Sequence, residues 1–117
     1  MEVKRTKDGI YKIEGAETVI VFTSTDIKEH YCKGGVMTEF KGKLYTQWQS
    51  SAQDEDAEDT WVAYSVSDDN GATWSEPKVL VPTIDNGYCS SGGWFVCGDT
   101  LVSYINVWYS DTTPRGG

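Results

Sequence analysis

Ser67-Asp68-Asp69-Asn70-Gly71-Ala72-Thr73-Trp74 lies between two runs of strand character, Trp61–Val66 and Lys78–Val81. Each residue type in the stretch has a turn-forming reason to be there. Asn70-Gly71 supplies the positive φ angles of a tight hairpin, because Gly has no Cβ and Asn tolerates the left-handed region. Asp69 carries a short carboxylate that can accept backbone N–H groups across the loop. The Ser67 and Thr73 hydroxyls can repeat that role at either rim. Trp74 offers a large apolar face to bury at the start of the following strand. The stretch therefore reads as a structural hairpin, and Asp69 as a turn-former, not a catalyst.

Working outward, nothing reads as a helix. Short apolar or alternating runs occur at Ile10–Ile13, Thr18–Phe22, Gly35–Phe40, Leu44–Gln49, Trp61–Val66, Lys78–Val81, Trp94–Cys97 and Leu101–Trp108. Turn chemistries such as Glu14-Gly15, Lys41-Gly42, Asp85-Asn86-Gly87 and Gly98-Asp99 separate them. This predicts an all-β antiparallel meander. Gly34-Gly35-Val36-Met37, followed by Lys41-Gly42-Lys43-Leu44-Tyr45, recurs as Gly92-Gly93-Trp94-Phe95, followed by Gly98-Asp99-Thr100-Leu101-Val102. A four-stranded repeat of that length fits one blade of a β-propeller. The predicted organisation is a partial β-propeller. Residues 1–33 supply outer strands of a neighbouring blade (strands within 10–22) and a connection, 34–82 a complete blade, and 83–117 the first half of the next. Propellers close with about four to eight blades, and this chain holds roughly two. The missing blades come from a longer parent chain or from homo-oligomer partners.

Composition narrows the function classes. Ten Lys+Arg against 18 Asp+Glu give a net charge of −8, which argues against nonspecific binding to nucleic acid or anionic membranes. No run has the length of a transmembrane helix, so no membrane insertion is expected. The start shows no apolar segment of a secretory signal. Localisation is thus secreted or periplasmic if a signal was removed, and otherwise cytoplasmic. Cys32, Cys89 and Cys97 form no C-x-x-C pattern and read as small buried hydrophobes in or near strands. No cofactor or metal motif is present, and Asp54-x-Asp56-x-Glu58 lacks the glycine of a calcium loop.

In a meander of this kind the tight turns share one end, and the long polar loops Thr23–Lys33, Ser50–Asp59, Thr83–Ser91 and Tyr109–Gly117 share the other. Binding residues concentrate on such longer loops. The loop Gln53-Asp54-Glu55-Asp56-Ala57-Glu58-Asp59 crowds carboxylates that disfavour one another's ionisation, so Asp54, Glu55 or Asp56 could act as a general acid. The alternative is a solvated acidic loop. His30, the lone histidine, precedes the inner strand and could serve as a general base or be a surface residue. Tyr31, Trp48, Tyr88, Trp94, Trp108 and Tyr109 add aromatic faces that suit sugar rings, most of them explained as packing within blades.

The stretch S-x-D-x-G-x-T-W is the pattern called the Asp-box, with Ser67, Asp69, Gly71, Thr73 and Trp74 at its fixed positions. Gly34–Val81 resembles the sialidase (BNR-repeat) family in order and spacing: inner strand, glycine turn, second strand, acidic loop, third strand, Asp-box, then Trp-Ser-x-Pro. The resemblance implies a carbohydrate-active propeller with a glycan as substrate or ligand. Family sialidases use an arginine triad on the substrate carboxylate, a Tyr/Glu nucleophile pair and an acid/base Asp in an acidic loop. Asp54, Asp56 and Glu55 stand where that acid would lie. At the start of the inner strand this chain has Tyr31-Cys32-Lys33 where the family has arginine, and an ammonium lacks the bidentate fork. Only Arg5 and Arg115 are present in the whole chain, and only Arg115 falls on the loop face, so no single copy holds a triad. The resulting expectation is part of a sialidase-like exo-glycosidase using acid/base chemistry, inactive as this chain alone, with Lys33, Tyr31 and Arg115 toward substrate. The alternatives are a lectin-like propeller repeat assembling as a homo-oligomer, and a propeller polysaccharide lyase using His30 or Tyr31 as base.

Overall fold

The computed structural model describes residues 2–9 and 11–109, and all its strand pairs are antiparallel. The strands in chain order are β1 (Glu2–Arg5), β2 (Tyr11–Glu14), β3 (Tyr31–Phe40), β4 (Lys43–Ser51), β5 (Trp61–Ser67), β6 (Lys78–Val81), β7 (Gly87–Cys97) and β8 (Thr100–Tyr109). They form a β1–β2 hairpin, a four-stranded meander β3–β4–β5–β6 and a β7–β8 hairpin. The protein is all-β. One turn of 3-10 helix, Ile27–Glu29, is capped by the Asp26 carboxylate, which accepts from the Lys28 N–H at 2.9 Å. No helix among the described residues is long and apolar enough to cross a membrane.

Turn chemistry sets the registers. Lys41 and Gly42 adopt φ of 50° and 75°, the paired positive angles of a two-residue hairpin, and so bring Phe40 opposite Lys43. Between β5 and β6 the Asp69 carboxylate gathers its own loop. It accepts from the Ser67 hydroxyl at 2.8 Å, the Thr73 N–H at 2.8 Å and the Thr73 hydroxyl at 2.5 Å. Those donors, the Thr73 hydroxyl foremost, hold its pKa down at about 2. Asn70 and Gly71 take φ of 58° and 90° in the same loop. Trp74 is half-buried beyond it, and Ser75 ties the chain back to β5 through its N–H to the Val66 carbonyl at 2.9 Å.

β4 is the centre of the molecule, with Thr46 through Ser51 all buried. One of its faces carries Trp48, which stacks on Phe22 at 5.6 Å. The other carries Tyr45 and Gln47 and receives the β7–β8 hairpin. Gln47 is fully buried; its side-chain N–H donates to the Gly93 carbonyl at 2.6 Å and its oxygen accepts from the Ser103 hydroxyl at 3.2 Å. Around it, Trp94 meets Tyr45 edge-on at 6.1 Å and donates its indole N–H to the Val36 carbonyl at 3.1 Å. The Ser91 hydroxyl donates to the Gly34 carbonyl at 2.6 Å. The core is thin in hydrocarbon: the buried apolar side chains are Trp48, Val62, Ala63 and Cys89, and polar Thr46, Gln47, Gln49, Ser50, Ser51, Thr60, Ser65 and Ser67 are buried with them.

Several sequence expectations need correction. Thr18–Phe22 is not a strand: Thr18, Val19 and Ile20 are exposed, and Phe22 is anchored by stacking on Trp48 and not by a backbone ladder. The partner of Tyr11–Glu14 is Glu2–Arg5, a charged run too short to announce itself, brought back by a turn at Thr6–Gly9 whose Gly9 N–H donates to the Thr6 carbonyl at 3.0 Å. The stretches Tyr31–Lys33 and Gly87–Ser91, read as loop, are strand. The glycine pairs that looked like strand boundaries are bulges inside β3 and β7, where the register shifts between Lys33 and Val36 and between Ser91 and Gly93. Of the cysteines only Cys89 is buried; Cys32 and Cys97 are exposed, and all three are free thiols.

If Gln47 joins the two sheets as described, Gln47→Leu strands a buried carbonyl and a hydroxyl without their partners. We expect a loss of about 2 kcal/mol, read as a lower urea midpoint with unchanged strand circular dichroism. An unchanged midpoint would contradict the assignment.

Candidate functional site

The tight turns gather at one end of the molecule, where Lys41 pairs with Asp99 at 3.3 Å and Lys43 with Asp68 at 3.5 Å. At the other end a cleft of about 360 Å³ opens between the two sheets. Its lining residues come from the start of β3 (Lys33, Gly34), the end of β4 (Gln49), the loop after β4 (Glu55, Asp56), β7 (Tyr88, Ser90, Ser91) and the end of β8 (Trp108).

Each wall has a local cause. Gly34 has φ of 68°, and a Cβ there would lie 2.9 Å from the Ser91 hydroxyl, so glycine is what lets β3 and β7 close the floor. The acidic loop is held by three bonds, two of them to β4 and one within the loop. Gln49 donates its side-chain N–H to the Glu55 carbonyl at 2.6 Å, the Ser51 hydroxyl donates to the Asp54 carbonyl at 2.6 Å, and the Ala52 N–H donates to the Asp59 carboxylate at 3.0 Å. The loop's far end is pinned to β7, whose Cys89 N–H donates to the Thr60 hydroxyl at 2.9 Å. Opposite, Tyr88 and Trp108 are cross-strand partners stacked at 5.3 Å with their planes 13° apart. Stacked aromatics beside acceptor groups form a surface on which the apolar face of a sugar ring can rest while its hydroxyls are bonded.

Glu55 is the electrostatic centre. It accepts from the Lys33 ammonium at 2.7 Å and from the Tyr31 hydroxyl at 2.6 Å. Lys33, then Tyr31, hold its pKa down at about 2, and the same bonds raise the pKa of Tyr31 and of Lys33. At neutral pH the trio is a carboxylate, a phenol and an ammonium. Crowding of carboxylates does not govern Glu55, because the nearest groups are a cation and a hydroxyl donor.

The structure brings Lys33, Glu55 and Asp56 into one cleft, with Tyr31 behind Glu55. Asp54 is exposed and turns inward on its own loop, accepting from the Asp56 N–H at 3.0 Å. His30 is exposed at the end of the 3-10 turn and does not line the cleft. Ser67, Asp69, Gly71, Thr73 and Trp74 belong to the opposite end. Arg115 lies outside the described residues. No cluster of three or more His, Cys, Asp or Glu suited to a metal ion occurs among the described residues.

Gln49, Ser90 and Ser91 are absent from the sequence reading of the site, and Tyr88 and Trp108 enter it only within a set of aromatic faces suited to sugar rings, most of them explained as packing. A signal for them was present: the repeat reaches further upstream than the glycine pairs, since Tyr31-Cys32-Lys33-Gly34-Gly35 recurs as Tyr88-Cys89-Ser90-Ser91-Gly92-Gly93. Tyr88 is thus the repeat counterpart of Tyr31. Compared with protein-family models, curated proteins and solved structures, the chain matches none.

A titration tests the trio. The folded pKa of Glu55 lies below its ordinary 4.5, so the contact is complete above that value and is lost as the pH falls through about 2. The Glu55 carboxyl carbon should titrate with that low midpoint in NMR, and amides of residues 52–59 should follow it. Glu55→Gln should remove the transition and return the Tyr31 phenol toward its ordinary value. A carboxyl titrating in the usual range would refute the geometry.

Proposed function

We propose that this chain is part of a carbohydrate-active, sialidase-like β-propeller, with β3–β6 as one blade and β7–β8 as the inner half of the next, and that a glycan binds in the cleft between them. The observation carrying this is the cleft itself, which joins Lys33, Glu55 and Asp56 to the Tyr88–Trp108 stack at the loop end. The repeat supports the propeller reading: contacts between the units join repeat-related positions, as in Trp94 to Val36 and Ser91 to Gly34. The next turn of the same repeat would seat on the outer face of β7–β8, where Phe95 and Tyr104 are 53 % and 56 % exposed. In the full propeller the reaction would be exo-glycosidic hydrolysis by acid/base chemistry. Asp54 and Asp56 remain the candidate acids of the loop, Glu55 being an ionised acceptor for Lys33 and Tyr31.

One observation favours the lectin-like alternative for this chain alone. A Glu55 held ionised by two partners is an acceptor for sugar hydroxyls and not a proton donor at neutral pH. Binding without turnover is therefore the expected behaviour of the isolated chain.

Titration with a mixed panel of methyl pyranosides and short oligosaccharides, followed by tryptophan fluorescence, tests the reading. Trp108→Ala should weaken glycan binding by about tenfold, the scale of one aromatic contact, with no reducing sugar released by either protein. Equal binding by the variant, or none by the parent, would defeat the proposal.

A further inference from the structure

Building on the glycan reading above, we propose that the cleft selects an uncharged pyranose and discriminates against carboxylated sugars. The described residues lining the cleft include one cation, Lys33, against two carboxylates, Glu55 and Asp56. That cation is already engaged, with its ammonium 2.7 Å from the Glu55 carboxylate. The second Glu55 oxygen is taken by the Tyr31 hydroxyl at 2.6 Å, so the trio is internally matched before any ligand arrives. An incoming carboxylate would have to share the Lys33 ammonium with a partner of the same charge and chemistry as itself, and would be repelled by it. It would also approach the Glu55 carboxylate, on a chain of net charge −8.

The remaining walls suit a neutral ring. Tyr88 and Trp108 present a stacked aromatic edge, and the hydroxyls of Ser90 and Ser91 lie beside it. Carboxylate oxygens are acceptors, which sugar hydroxyls can satisfy as donors and a second carboxylate cannot. The ligand class this describes is a hydroxyl-rich ring with an apolar face and no charge.

The relation between Lys33 and Glu55 predicts how specificity can be changed. Glu55→Gln removes the competing carboxylate and frees the Lys33 ammonium toward the cleft. The variant should then gain affinity for acidic sugars.

The test compares methyl glucoside, methyl galactoside, methyl mannoside and neutral oligosaccharides with N-acetylneuraminic acid and methyl glucuronide, by calorimetry at low ionic strength. We expect a neutral ligand to bind about tenfold or more tightly than either acid, and Glu55→Gln to narrow that gap. The variant's fold is checked by its amide NMR spectrum. Lys33→Met provides a second variant and should leave neutral-sugar preference intact. An acid binding as tightly as the neutral sugars would overturn the inference while leaving the glycan reading standing. Failure of every sugar to bind, with Trp108→Ala indistinguishable from the parent, would overturn both.

Discussion

The fully buried side chain of Gln47 holds the two larger sheets in one arrangement, donating to Gly93 on β7 and accepting from Ser103 on β8. A buried primary amide is costly unless both of its ends are satisfied, so its geometry tolerates little sliding. With so few buried hydrocarbon side chains, directional bonds of this kind do the positioning that interlocking apolar groups do in thicker cores. Trp94 to Val36 and Ser91 to Gly34 extend the same seam toward the loop end. The cleft exists because that seam stops short of the strand starts. There the sheets part, and the loop after β4 folds over the opening.

The repeat gives this seam a wider meaning. At the spacing of the strand turns, the counterpart of Gln47 in the second unit is Tyr104, and Phe95 lies on the same outer face of β7–β8. Both point away from the four-stranded sheet and are exposed. The face that receives a neighbour in the first unit is thus repeated, with larger apolar residues, in the second. On the opposite side of β4, the buried indole N–H of Trp48 finds no acceptor among the described residues. The exposed outer face of β7–β8 is an unfinished contact, which is what the proposed propeller reading requires of a unit within a larger ring.

Much of the fold was legible, for reasons that can be named. Lys41-Gly42 and Asn70-Gly71 dictate positive backbone angles, so those hairpins followed from residue type alone. The four strands of the meander followed from alternation between such turns. What failed were segments whose structure depends on distant partners. Thr18–Phe22 has the apolar composition of a strand but is anchored through Phe22 on Trp48, with Val19 and Ile20 exposed. Gly34-Gly35 and Gly92-Gly93 looked like strand boundaries because glycine weakens strands, yet they are bulges that allow close approach of β3 and β7. At the site, Lys33, Glu55 and Asp56 were visible as charged residues on long loops or strand starts. Their linkage through Tyr31 was not, since Tyr31 and Glu55 are brought together only by the folding of the acidic loop onto Gln49 and Ser51. Tyr88 and Trp108 were visible as aromatic faces suited to sugar rings, but nothing local singles them out from the packing aromatics or reveals that the start of β7 and the end of β8 lie beside an opening.

The central claim is that the opening between β3 and β7 is where a sugar rests, and the five tryptophans make this directly measurable. An NMR titration of the indole N–H signals with a saturating neutral oligosaccharide reports each of them separately. The account predicts a large shift at Trp108, with Trp48, Trp61 and Trp74 unmoved. Shifts centred on Trp48 or Trp74, with Trp108 silent, would contradict it.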